Sequence, residues 1–175
     1  MKALIFLFTL SGAILSAQNL NYKNLKSFIG NRVFEFEDFY KIKSTKTENH
    51  FENLSITYQE VVIDNKTFNI YLFTEGKNIS KIEVSNTKEK TQYFTQQAED
   101  LENNSEVKKN YKTIFVSVNN KSNKKKIYFE KINELIDSLK NKKYDLKDFI
   151  AEVDCPPLKA NLYLNENETH LTIKN

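Results

Sequence analysis

Glycine, proline, cysteine and tryptophan are almost missing from this chain: 3, 2, 1 and 0 residues among 175. With three glycines, one of them the early Gly12, neither GxGxxG nor GxxxxGK[ST] can be written. Nucleotide binding through those loops is therefore excluded. A single cysteine, Cys155, forms no internal disulfide, so stability has to come from packing. The 13 phenylalanines and 9 tyrosines are able to supply it. Arginine is reduced to Arg32, which removes the usual bidentate reader of phosphates and bases. His50 and His170 lie far apart and share no compact zinc spacing with Cys155. The stretch "DLENNSE" (100–106) lacks the central glycine and alternating acids of a calcium loop. The expectation is no metal, no cofactor and no catalytic residue. A formal net charge of +3 is too weak an excess for a dedicated nucleic-acid or membrane-surface protein.

What is present begins with "MKALIFLFTLSGAILSAQNL". Lys2, an uncharged apolar run from Ala3 to Leu15, and small residues at Ser16 and Ala17 are the three parts of a secretory signal peptide. The run is short for a spanning helix, which takes about 20 apolar residues. Residues 1–17 are read as the signal and 18–175 as a single exported domain, periplasmic or extracellular, with Gln18 first. No membrane segment is expected after cleavage. The Lys- and Asn-rich usage resembles that of exported proteins of AT-rich bacteria.

Periodicity then divides the mature chain. Leu25, Phe28 and Ile29 stand at helical spacing before Gly30, and Val33, Phe36 and Phe39 continue it. "STKTENH" (44–50) reads as a polar loop. From 51 the period becomes two, and strands over 51–63, 67–75 and 79–85 form a meander joined by "DNK" and "GKN". A helix follows over 87–104, capped by Thr87, with Tyr93, Phe94, Gln97 and Leu101 on one side. Strands at 112–118 and 127–131 and a helix at 132–141, striped by Ile132, Leu135, Ile136 and Leu139, repeat the strand–turn–strand–helix plan of 67–103. The pattern reads as two ββα units. Residues 142–153 have no clear period, and 161–174 form a last hairpin. The fold class is α+β: an antiparallel meander and hairpin sheet with helices packed on one face.

Three stretches carry candidate chemistry. In "VDCPPL" (153–158), Cys155 as a nucleophile, with His50 or His170 as base, needs that base in reach and a cation or helix terminus to lower its pKa. Its neighbour is Asp154, and no helix follows, so the stretch reads as a stiff extended connector with cysteine as an apolar filler. "FEFEDF" (34–39) offers Glu35, Glu37 and Asp38 to a glycosidase-like pair, but equally forms the polar side of a segment whose Phe34, Phe36 and Phe39 turn elsewhere. Residues 108–147 hold about a dozen lysines against about four acids. That charge concentrates in the turn "NNKSNKKK" at Lys121, Lys124, Lys125 and Lys126. A basic hairpin tip attracts another protein or an anionic surface; the plainer reading is a solvated turn guarding strand edges. The sequence favours an exported, non-catalytic binding domain of a bacterial envelope or secreted protein. The alternative is a small exported hydrolase working through carboxylates or Cys155.

Overall fold

The computed structural model describes residues 19–109 and 114–175. The expected signal segment and its cleavage point lie outside them. Among the described residues there are five helices: α1 (Tyr22–Lys26), α2 (Val33–Tyr40), α3 (Lys90–Glu102), α4 (Ser105–Lys109) and α5 (Ile132–Lys140). Nine strands join them: β1 (Lys46–His50), β2 (Asn53–Ile63), β3 (Lys66–Glu75), β4 (Asn78–Asn86), β5 (Phe115–Asn120), β6 (Lys126–Phe129), β7 (Phe149–Cys155), β8 (Ala160–Leu164) and β9 (Thr169–Lys174). All nine belong to one open sheet in the order β1-β2-β3-β4-β9-β8-β7-β5-β6. Every neighbouring pair is antiparallel. The class is therefore α+β, as the alternation of hairpins and helices implies.

Because side chains alternate across a pleat, register decides which residues share a face. One inward row crosses the sheet as Tyr58, Ile70, Val84, Leu171, Leu162, Val153, Val116 and Phe129. A second joins Ile56, Leu72, Ile82, Ile173, Ala160 and Cys155. Apart from the half-buried Phe129, both rows are buried. Helix α3 packs on β8 and β9 and touches α5, which in turn packs on β5 and β6. On α3, Tyr93, Phe94, Gln97 and Leu101 are buried, as their spacing predicts. The first described residues pack against the helices as well. Leu20 is buried, the Tyr93 hydroxyl donates to its carbonyl (3.0 Å), and the Tyr22 amide donates to Gln97 Oε1 (3.1 Å).

Four local readings need correction. The polar segment 44–50 contains the strand β1, not only loop. A strand at the sheet edge pairs through its backbone alone, and exposed polar side chains on both sides, as in "KTENH", protect it from further pairing. Thr87 does not cap α3; the cap position is Glu89, whose side chain makes no capping bond. Phe34 is exposed on α2, whereas Phe36 and Tyr40 turn inward, because the buried stripe follows a spacing of four. "CPPL" is not an extended connector. Pro156–Leu158 form a single 3-10 turn that reverses the chain between β7 and β8, a position where the missing proline amides cost nothing.

The two strand–turn–strand–helix runs share element order. In the sheet, β3–β4 and β5–β6 keep the same left-to-right order, yet β5 runs opposite to β3. Superposing the pairs turns the sheet over, while α3 and α5 touch each other. The recurrence is thus one of sequence plan.

Candidate functional site

The residues between the inward rows make the opposite face, and it is polar. One outward row runs Lys46, Thr57, Tyr71, Glu83, Thr172, Asn161, Asp154, Phe115. The next runs Asn69, Ser85, His170, Tyr163, Glu152, Ser117, Tyr128. Cross-strand neighbours in such rows stand about 5 Å apart, close enough for side chains to pair.

Two clusters result. In the first, His170 stacks on Tyr163 with ring centroids 5.0 Å apart and planes 3° from parallel. Glu83 Oε2 lies 3.7 Å from His170 Nε2, and Glu83 Oε1 lies 3.0 Å from Lys81 Nζ. The Lys81 ammonium also sits 3.6 Å from the centre of the Phe73 ring. The nearby His170 imidazole, with help from Lys81, outweighs burial and holds the Glu83 carboxyl down at about 2. In the second cluster, burial alone would raise the Glu152 carboxyl. Three donors reverse that: Lys126 Nζ (3.0 Å), Asn119 Nδ2 (2.8 Å) and Asn161 Nδ2 (3.2 Å), and the net direction is down.

A groove of about 360 Å³ lies over the first cluster, lined by Lys81, Glu83, Asp154, Asn161, Thr172 and Lys174 among others. A smaller one of about 270 Å³ lies beside the second, lined by Phe115, Ser117, Lys126, Tyr128, Glu152 and Asp154. Asp154 borders both, so the polar surface is continuous across β7. Phe115 and Tyr128 are exposed at its far end.

General acid catalysis needs a carboxyl that keeps its proton near neutral pH. Glu83 and Glu152 are shifted the other way, and their oxygens already accept from neighbours. Of the acids in "FEFEDF", Glu37 accepts from the Tyr58 hydroxyl (3.0 Å), while Glu35 and Asp38 are exposed on α2.

Cys155 is fully buried, and burial pushes its thiol up. Its inward row includes Ile173, whereas His170 stands three residues back on β9 and so faces the other side of the sheet. His50 is at the exposed end of β1. No cysteine–histidine pair exists on this geometry. Among the described residues, no three His, Cys, Asp or Glu side chains gather as metal ligands would, and no helix is long and apolar enough to cross a membrane.

The structure separates the four tip lysines. Lys121 donates to the Leu146 carbonyl (2.9 Å) and meets Glu166 (3.4 Å); Lys126 serves Glu152. Lys124 and Lys125 stay exposed at the turn. Sequence reasoning missed Glu83, Tyr163, Glu152 and Asn161 altogether, and it treated His170 only as a base for Cys155. Glu152 lies in a stretch without clear period, and for the others the one signal was polar alternation in "SKIEVS", "NLYL" and "THLTIK", which says nothing of which strands are neighbours.

Comparison with protein-family models, with curated proteins and with solved structures returns no match to this chain.

Proposed function

We propose that the chain is an exported, non-catalytic binding domain. Its outward sheet face meets another protein or an anionic surface, with Lys121, Lys124, Lys125 and Lys126 at the rim. In this reading the helices share the inward, apolar face and leave the outward face open to a partner. The observation that carries the reading is the state of the two carboxylates. Neighbouring donors hold Glu83 and Glu152 below the ordinary carboxylate range, the opposite of the shift a general acid needs. A hydrolase built on Cys155 would need its thiol on the same face as a base, and the thiol belongs to a buried row.

Two measurements test it. Chromogenic glycoside, ester and peptide substrates are expected to stay intact; turnover abolished by Glu83→Gln or Glu152→Gln makes the protein an enzyme. On heparin resin, used as an anionic polymer probe, the double variant Lys124→Glu/Lys125→Glu is expected to elute at lower salt than the wild type. Identical elution removes the basic rim from the proposal.

A further inference from the structure

The β1–β2 hairpin turns through Phe51 and Glu52. Two-residue hairpin turns favour residues that tolerate positive φ, namely Gly, Asn and Asp. This chain follows that rule at its next two hairpins. Asp64 and Asn65 turn β2 into β3 with φ of 51° and 60°, and Gly76 turns β3 into β4 at 60°. At the first hairpin the positive φ, 59°, falls on Phe51.

Phe51 is also the most exposed large hydrophobic of the described residues, at 107% of its reference area. A Cβ in the left-handed region and an aromatic ring in water are both unfavourable. The other non-glycine residues at positive φ are Lys, Glu, Asp and Asn, whose polar ends belong in water. Phe51 alone among them is apolar, and among the described residues no ring contact offsets it. Every residue of β1 is exposed too, so the outer strand of this hairpin adds nothing to the core. A local rule broken at one turn and obeyed at its neighbours marks a functional constraint.

We propose that Phe51 is the anchor of a protein–protein contact, its ring entering an apolar pocket of a partner protein from a preformed hairpin tip. The class of contact is a buried aromatic in a desolvated pocket, the commonest form of an interface hot spot. Charge next to the ring decides against a lipid surface. Lys46 offsets Glu48 at 2.6 Å, and across this tip and the adjoining β3–β4 tip the acids Glu52 and Glu75 outnumber Lys77. A single ring with an acidic neighbour gives no stable hold on an anionic bilayer; a pocket with a basic rim accommodates both. The inference rests on the reading of the chain as a binding domain and assigns it a second surface, separate from the sheet face.

The test uses the full chain carrying the photo-crosslinking analogue benzoylphenylalanine at position 51, or at Lys77 in the neighbouring turn as control, added to envelopes of the source cells. Adducts are expected from position 51 and not from 77. Excess unlabelled wild type is expected to suppress them at least tenfold, and excess Phe51→Asn to leave them unchanged. No adduct at 51, equal adducts at both positions, or equal competition by Phe51→Asn overturns the proposal. Phe51→Asn is expected to hold or raise Tm, by up to about 4 °C; a fall makes the ring a part of the fold and sinks the anchor. Cosedimentation of the wild type but not Phe51→Asn with phosphatidylglycerol vesicles assigns the ring to a membrane instead. Heparin elution, which reports the lysine rim, is expected to be the same for Phe51→Asn and wild type, so the two readings fail separately.

Discussion

At the β1 end of the sheet, Tyr58 lies under a cluster of rings, whereas the β6 end is held by a carboxylate. Phe36 meets Phe28 edge-on at 5.2 Å, Tyr40 at 4.7 Å and Tyr58 at 6.0 Å, and both Phe36 and Tyr58 are inaccessible to water. At the other end, Phe129, Tyr144 and Phe149 touch at similar distances, 6.0 and 5.1 Å, but are only half-buried. There Glu152 gathers β5, β6 and β8 through Asn119, Lys126 and Asn161. Apolar burial is indifferent to pH and salt; a charge-assisted network is sensitive to both. One sheet therefore has an end that answers to volume and an end that answers to protons.

The contrast breaks most directly at Phe36. Phe36→Ala deletes a fully buried ring from a packed cluster and is expected to cost about 3–5 kcal/mol in urea unfolding. Phe129→Ala removes the same atoms from a half-buried site and is expected to cost less than half as much, because less area returns to water. Equal losses at the two positions mean that both ends rest on packing alone.

How far the sequence could be read follows the same division. The inward rows were legible because alternation and helical stripes report burial locally: Ile56 and Tyr58 on β2, Ile132, Leu135 and Ile136 on α5. The strand β1 was not, since "KTENH" buries nothing and carries no period to detect. The outward clusters were invisible for another reason. Glu83 meets His170 only because β9 pairs with β4, and Glu152 meets Lys126 only because β7 pairs with β5. Pairing over such sequence separations is decided by the whole sheet, and no local pattern encodes it. Cys155 went the opposite way: a residue conspicuous by its rarity proved to be filler in a row of Ile82, Ile173 and Ala160.

Acid sharpens the comparison. Glu83 is held at about 2 against an ordinary 4.5, and Glu152 is shifted in the same direction. A carboxyl whose folded value is depressed stabilises fully above its ordinary value and loses that contribution as pH falls through the folded one. Stability is therefore expected to decline from pH 4.5 towards 2, and Glu83→Gln and Glu152→Gln should each flatten the decline. Amide exchange followed across that window is expected to quicken in β5–β7 before β2–β3, because local openings draw on whichever interactions are weakened. Simultaneous loss of protection in both regions, or a decline as steep in the variants as in the wild type, contradicts the assignment.

The smallest effect expected lies at the tip of the β6 end. Lys124 takes φ 58° in a turn whose shape is already fixed by its asparagines. Asn120 Oδ1 accepts from the amides of Ser122 and Asn123, both at 3.0 Å, and Asn123 Oδ1 accepts from that of Lys125 at 2.9 Å. The left-handed backbone is thus imposed on the lysine by its neighbours. Glycine removes the Cβ clash at a cost in unfolded-chain entropy, and the balance at such sites favours glycine by about 0.5–1 kcal/mol. Lys124→Gly should accordingly raise the urea midpoint slightly while lowering the salt needed for heparin elution, since one exposed charge is gone. A lower midpoint would mean that Lys124 contributes a contact to the fold, and unchanged elution would mean that it contributes nothing to the basic rim.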